Sequence, residues 1–107
     1  MSQLKIDDIK QIIETNDAVM LYFSGKNCNV CHALQPKIKE AFDTNFPKIK
    51  QLYIDATDNT QLAASYEVFS VPTILIFFDK KETKRVSRYI SVSELIHDIS
   101  RLYNLMF

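Results

Sequence analysis

Glycine is nearly missing from this chain. Gly25 is the only one, there is no tryptophan, and cysteine occurs only twice. With so little glycine, tight turns fall to Asp, Asn, Lys and Pro, as in Asp79-Lys80-Lys81-Glu82. Two cysteines cannot supply a second C-x-x-C. A tetrahedral zinc site would have to draw on Cys28, Cys31, His32 and the distant His97, which serves it poorly. Charge of one sign is also lacking: thirteen basic and thirteen acidic side chains cancel. That removes the electrostatic argument for nucleic acid or an anionic membrane surface as partner. No apolar run approaches a membrane span, since the longest is "TILIFF" with its neighbours. The N-terminal "MSQLKIDDIKQ" is polar and has no apolar signal core, so the expectation is a reduced, cytoplasmic setting. At 107 residues one domain spanning 1–107 is expected, and it can bury a core without disulfide staples.

What is present is an alternation of two periodicities. In "LKIDDIKQIIETN" the residues Leu4, Ile6, Ile9, Ile12 and Ile13 recur mainly three and four apart, which predicts an amphipathic helix. "AVMLYF" (18–23) is a continuous apolar run of strand length, suited to a strand covered on both faces. From Asn29 the helical period returns, with Leu34, Ile38, Ala41 and Phe42 on one face and Pro36 inside, where it should kink the helix. "IKQLYID" (49–55) predicts a second strand, "NTQLAASYEV" a short helix, and "PTILIFF" a third strand from Pro72. "TKRVSRYI" (83–90) is expected to pair with it through a turn at 79–82. A last helix, capped by Ser91 or Ser93, carries Leu95, Ile96, Ile99, Leu102 and Tyr103. The expected architecture is α/β. A four-stranded mixed sheet, with a parallel crossover over 18–55 and an antiparallel hairpin near the end, has helices on both faces.

The chemistry concentrates in "GKNCNVCHALQP" (25–36). As a string, C-x-x-C-H fits a haem attachment site, part of a zinc site, or a redox dithiol. The haem reading would use His32 as ligand and Met20, Met106 or His97 as the sixth group, in a chain rich in strands. The redox reading needs a strand followed by a helix, and the prediction supplies both. A thiol at Cys28 would lie against the unsatisfied N–H groups of the first helical turn. Their partial positive charge favours the thiolate, the reactive form. Lys26 adds positive charge nearby, and the two-residue spacer puts Cys31 within bonding range of Cys28.

Together with "CNVC", Pro36 five residues after the second cysteine and "SVPT" (70–73) make the chain resemble the thioredoxin family over nearly its full length. The resemblance implies a three-layer sandwich, with the N-terminal edge strand missing or reduced. It also implies a cis bond at Pro72 facing the dithiol, and a Val71 backbone that pairs with an extended substrate segment. By the same resemblance, Cys28 is the nucleophile and Cys31 the resolving thiol of a disulfide reductase. The reductase acts on protein disulfides and is recharged by an electron-donating reductase or a small thiol. It is expected to be a monomer, with no bound cofactor, no metal, no nucleic acid and no membrane.

The departures from the family are specific. Asn27 stands where a tryptophan is usual, and Asn29-Val30 replaces Gly-Pro between the cysteines. The family's buried acid aligns with Tyr22, its partnering lysine with Gln51, and the glycine after the hairpin with Arg88 or a neighbour. His32 is then a candidate base or electrostatic partner for the dithiol, although a solvated first-turn histidine is the commoner reading. Tyr22, between Leu21 and Phe23, reads more readily as sheet packing than as a proton donor. These departures also support a competing reading: a binding or adaptor module, metal-binding or not, with little turnover. A glutaredoxin-like variant is weaker, because no glycine pair follows "SVPT" to hold glutathione.

Overall fold

The central strand is apolar on both faces, and the rest of the molecule is laid against those faces. The computed structural model describes residues 5–107. In chain order the elements are α1 (Ile6–Thr15), β1 (Ala18–Ser24), α2 (Asn29–Asn45), β2 (Lys50–Asp55), α3 (Thr60–Ser65), β3 (Thr73–Phe78), β4 (Lys81–Ser87) and α4 (Val92–Met106). The strand order is β2-β1-β3-β4, with β1 parallel to β2 and antiparallel to β3, and β3 antiparallel to β4. This is the mixed four-stranded sheet expected, open at both edges. An expected helical start at Leu4, like any N-terminal strand, falls outside the described residues.

Alternation along β1 divides the core. Ala18, Met20 and Tyr22 point toward Ile38, Phe42 and Phe46 at the α2 end, and toward Leu95, Ile99 and Tyr103 of α4. Val19, Leu21 and Phe23 point toward Ile9 and Ile13 of α1 and Leu62 and Ala63 of α3. Each of these larger side chains contributes roughly 1.5–3 kcal/mol by leaving water, so the continuous run at 18–23 is the signature of a doubly covered strand. The α2–α4 side is closed by aromatic contacts. Phe46 lies 5.0 Å from Tyr103, whose hydroxyl accepts the Lys48 amide at 3.1 Å.

Three local expectations change. The hairpin turn is shorter than 79–82, because β4 already begins at Lys81. Asp79 and Lys80 alone form it, with φ of 53° and 70°. Two successive left-handed residues match the right-handed twist of the strands they join, which a four-residue turn of ordinary conformation would not. A bulge between Ile76 and Phe77 shifts the register, so that Phe77 opposes Glu82 and Ile76 opposes Lys84. The short third helix stops at Ser65, before the expected "YEV", because Glu67 turns left-handed at φ 57°. The last helix starts as read, with Ser91 Oγ accepting the Glu94 amide. Helix α2 runs on through Pro36, whose ring nitrogen offers no hydrogen to the His32 carbonyl one turn back.

Lys80 pays a left-handed penalty that glycine would not. The variant Lys80→Gly is expected to gain about 1 kcal/mol, less some unfolded-chain entropy, and a raised urea midpoint with unchanged m-value will show it.

Candidate active site

Four loops leave the same end of the sheet, and the cysteines lie among them. Ser24, the last residue of β1, is in register with Asp55, the last of β2, and Phe23 opposes Thr73, the first of β3. Thr73 in turn opposes Ser87, the last of β4. Residues 25–28, 56–58, 70–72 and 88–90 are therefore neighbours in space. Gly25 marks how close they come. A side chain there would begin 3.4 Å from Val71 Cγ2, 3.5 Å from Thr57 Oγ1 and 3.7 Å from Cys28 Cβ.

Cys28 is the N-cap of α2, in extended conformation, and its amide donates to the Gly25 carbonyl at 3.2 Å. Its Sγ accepts the Cys31 amide at 3.2 Å, so sulfur sits where a capping oxygen usually does. Cys28 and Cys31 are joined as a disulfide, their Cα atoms 5.2 Å apart. The two sulfurs are not equivalent in access. Cys28 is partly exposed, whereas Cys31 is completely buried. An external disulfide can therefore reach the first cysteine and not the second.

Tyr22 belongs to the core, and its hydroxyl also reaches the cysteine helix. Its ring is fully buried and lies 5.6 Å from that of Tyr53, its neighbour across the β1–β2 ladder. Its hydroxyl donates to the Cys31 carbonyl at 2.8 Å. Burial raises the Tyr22 pKa to about 12, so this group holds its proton and adds no charge beneath the dithiol. Gln51 brings no charge to it either. Its side chain accepts from the Tyr53 hydroxyl at 2.6 Å and donates to Asp43 at 2.7 Å.

The other candidate groups are close to the cysteines but occupied. Lys26 is exposed, and its ammonium pairs with Asp58 at 2.8 Å. The Asp58 hydrogen bond holds the Lys26 pKa above its usual value and spends its charge on a carboxylate instead of on sulfur. His32 is exposed, with Nε2 3.1 Å from the Lys26 carbonyl, so its ring is turned to the 25–28 loop. The Val71–Pro72 bond is cis, Pro72 is buried, and Val71 lies against Gly25. Among the described residues no group of three or more His, Cys, Asp or Glu side chains could hold a metal ion.

Several flanking residues escape a linear reading. Asp58 and Thr57 meet Lys26 from thirty-odd positions away, with no signal in the sequence. Phe69, 82% exposed beside "SVPT", and Val30, 61% exposed between the cysteines, are apolar residues on a rim, which exposure alone reveals. Arg88, the expected glycine position, does have a left-handed backbone, at φ 65°.

Comparison with known proteins agrees with this geometry. The thioredoxin family model matches residues 2–101, and the chain belongs to that family. It is 34% identical over 97 residues to the thioredoxin-like protein YdfQ of Bacillus subtilis, covering 91% of this chain and 86% of that one. It is 38% identical over 76 residues to the protein disulfide-isomerase of Humicola insolens, covering 70% of this chain but 15% of that protein. Among solved structures, a thioredoxin from Halobacterium salinarum superposes with a TM-score of 0.79 at 25% identity, covering 95% of this chain and 87% of that one. Thioredoxin 1 of Thermosipho africanus gives 0.74 at 34% identity, covering 82% and 97%. A C-x-x-C pair at disulfide distance on this fold supports thiol–disulfide exchange as its chemistry.

Removing the Tyr22 hydroxyl with Tyr22→Phe is expected to cost about 1 kcal/mol, the net worth of one buried hydrogen bond, read as a lowered urea midpoint. Tyr53 is likewise raised to about 12, first by burial and then by the charge of Asp43. Both tyrosines release a proton more readily from the unfolded chain, near the ordinary 10.0, than from the folded one. Their contribution is therefore complete below pH 10 and is lost as pH rises toward 12. Tyrosinate absorbance and loss of tertiary signal should rise together in an alkaline titration.

Proposed function

We propose that the chain reduces protein disulfides through a Cys28–Cys31 dithiol cycle. The observation that carries this is the contrast between a partly exposed Cys28 capping α2 and a buried Cys31 bonded to it. In the reduced chain the Cys28 sulfur would face the Cys31 amide and the positive end of a 17-residue helix, both of which favour the thiolate. That thiolate attacks one sulfur of the substrate disulfide. The substrate S–S bond breaks, a mixed disulfide to Cys28 forms, and the departing sulfur takes up a proton. Cys31 then loses its proton and attacks the Cys28 sulfur, releasing the second substrate thiol and closing the Cys28–Cys31 bond. Each turnover oxidises the dithiol by two electrons and reduces the substrate by the same two. A separate electron-donating reductase or a small thiol must reopen the bond.

Val71 and Pro72 are assigned to the substrate side of this reaction. An extended segment running beside Val71 would use its backbone groups as strand addition does, with main-chain hydrogen bonds that any sequence can make. Tyr22 is assigned a positioning role through the Cys31 carbonyl, and the paired Lys26 and the loop-facing His32 auxiliary ones. We place the activity in a reducing compartment, where a dithiol can be regenerated, and treat the chain as a monomer.

With dithiothreitol as donor, the protein should accelerate insulin reduction, and Cys28→Ser should abolish that acceleration. Cys31→Ser should instead accumulate mixed disulfides with substrate, visible as a mass increase that dithiothreitol reverses. Alkylation of reduced Cys28 against pH should give an apparent pKa below the ordinary thiol value of about 8.5. An unperturbed thiol with no insulin reduction would favour the adaptor reading.

A further inference from the structure

We propose that Arg88 makes the site selective for substrate segments that carry an acidic side chain on one flank of their cysteine. This inference rests on the reading above and names the class of substrate it takes. Arg88 follows β4 directly, and its amide donates to the Pro72 carbonyl at 2.9 Å, which ties the 88–90 loop to the cis-proline loop. Together with Val30, Leu34, Tyr89, Ile90 and Ser91 it lines a groove of about 410 Å³. Val30 is the second of the two residues between the cysteines, directly before Cys31, so this groove borders the cysteine turn. Its walls are largely apolar, and Tyr89 stands fully exposed at its edge.

Several cations of the cysteine loop and of β4 are already paired. Lys26 is held by Asp58, Lys84 by Asp98 and Arg85 by Glu82. Arg88 has no carboxylate partner among the described residues. The opposite side of the site, beyond β2, has the reverse balance. Asp55 caps the Thr57 amide at 2.8 Å and Asp58 stands beside it, so Lys26 meets two carboxylates there. The rim is therefore polarised, negative on the β2 side and positive on the β4 side, in a chain whose net charge is zero. An extended segment crossing between the two sides would be oriented by this difference. A carboxylate would be drawn to Arg88 and repelled from Asp55 and Asp58.

Arg88 shares a left-handed backbone with Glu67, Asp79 and Lys80, but of the four only Arg88 lines this groove. At φ 65° a side chain costs energy that glycine would not. An exposed arginine on the lining of this groove, without an ion-pair partner among the described residues, is available to a ligand charge. Tyr89 next to it supplies a flat apolar surface for the residue that follows the carboxylate.

The test separates binding from chemistry. Fluorescent peptides with serine in place of cysteine, carrying Glu or Lys on either flank, are titrated with the protein and followed by anisotropy. The Glu peptide should bind about three- to fivefold tighter than the Lys peptide on one flank only, as an exposed ion pair gives. That preference should shrink toward unity at high salt. Arg88→Glu should invert it. Arg88→Gly relaxes the backbone and so retains the fold, and should abolish the preference while raising the urea midpoint. Equal binding of the two peptides, or a preference that survives Arg88→Gly, overturns the assignment. The corresponding cysteine peptides, each as a mixed disulfide with glutathione, test turnover. If the charge preference is present in binding but none of these disulfides is reduced, it is the reductase reading that fails.

Discussion

Everything at the reactive end of this molecule depends on β1 being paired along both edges. The parallel ladder to β2 and the antiparallel ladder to β3 bring the end of β1, the end of β2, the start of β3 and, through β3, the end of β4 to one line. The loops that leave that line have few ways to avoid one another. Gly25 shows how little room is left, with Val71, Thr57 and Cys28 all within 4 Å of where a side chain would begin. The chain's one glycine therefore stands where β1 turns into the cysteine loop, at a point of close approach. It is not spent on a turn that needs a left-handed backbone. Those turns are made by Glu67, Asp79, Lys80 and Arg88 at a conformational cost.

The chemistry follows from where α2 begins. A helix whose first turn is capped by a sulfur offers that sulfur an N–H and the positive end of the helix. The same geometry buries the second cysteine a turn later, with its carbonyl on the Tyr22 hydroxyl. Where the family resemblance implies a carboxylate, this chain has a phenol, which brings no charge at neutral pH. The hydroxyl can hold the Cys31 carbonyl, but with its pKa near 12 it cannot act as a base at neutral pH. Lys26, which the sequence offers as a positive neighbour, is neutralised by Asp58. The polarity of the dithiol's surroundings is set by helix and backbone more than by ionised side chains nearby.

Much of this is legible in the amino-acid sequence. Residues 18–23 read as a doubly covered strand because apolar side chains fall on both faces, and both faces are covered. Leu34, Ile38, Ala41 and Phe42 read as one helix face, and they pack together in the cluster under β1. The Cys28–Cys31 spacing, Pro36 and "SVPT" were enough to indicate the family. The misread stretches were those where a left-handed residue overrides the pattern. Asp79 and Lys80 make a turn two residues long, and Glu67 ends a helix that the apolar residues would have let continue.

The periodicities, the helix and strand types and the dithiol spacing are legible in the chain because each depends on neighbours within a few positions, and the zero net charge because it depends on composition alone. Which groups gather around the cysteine loop is settled by tertiary packing. Asp58 reaching Lys26 and Arg88 tied to Pro72 depend on ladder register, and the Tyr22 hydroxyl on the Cys31 carbonyl depends on how α2 packs over β1. Register is a long-range property, set by burying β1 between two layers. The charges around the cysteines thus belong to the sheet that gathers them, although the cysteines themselves belong to twelve consecutive residues.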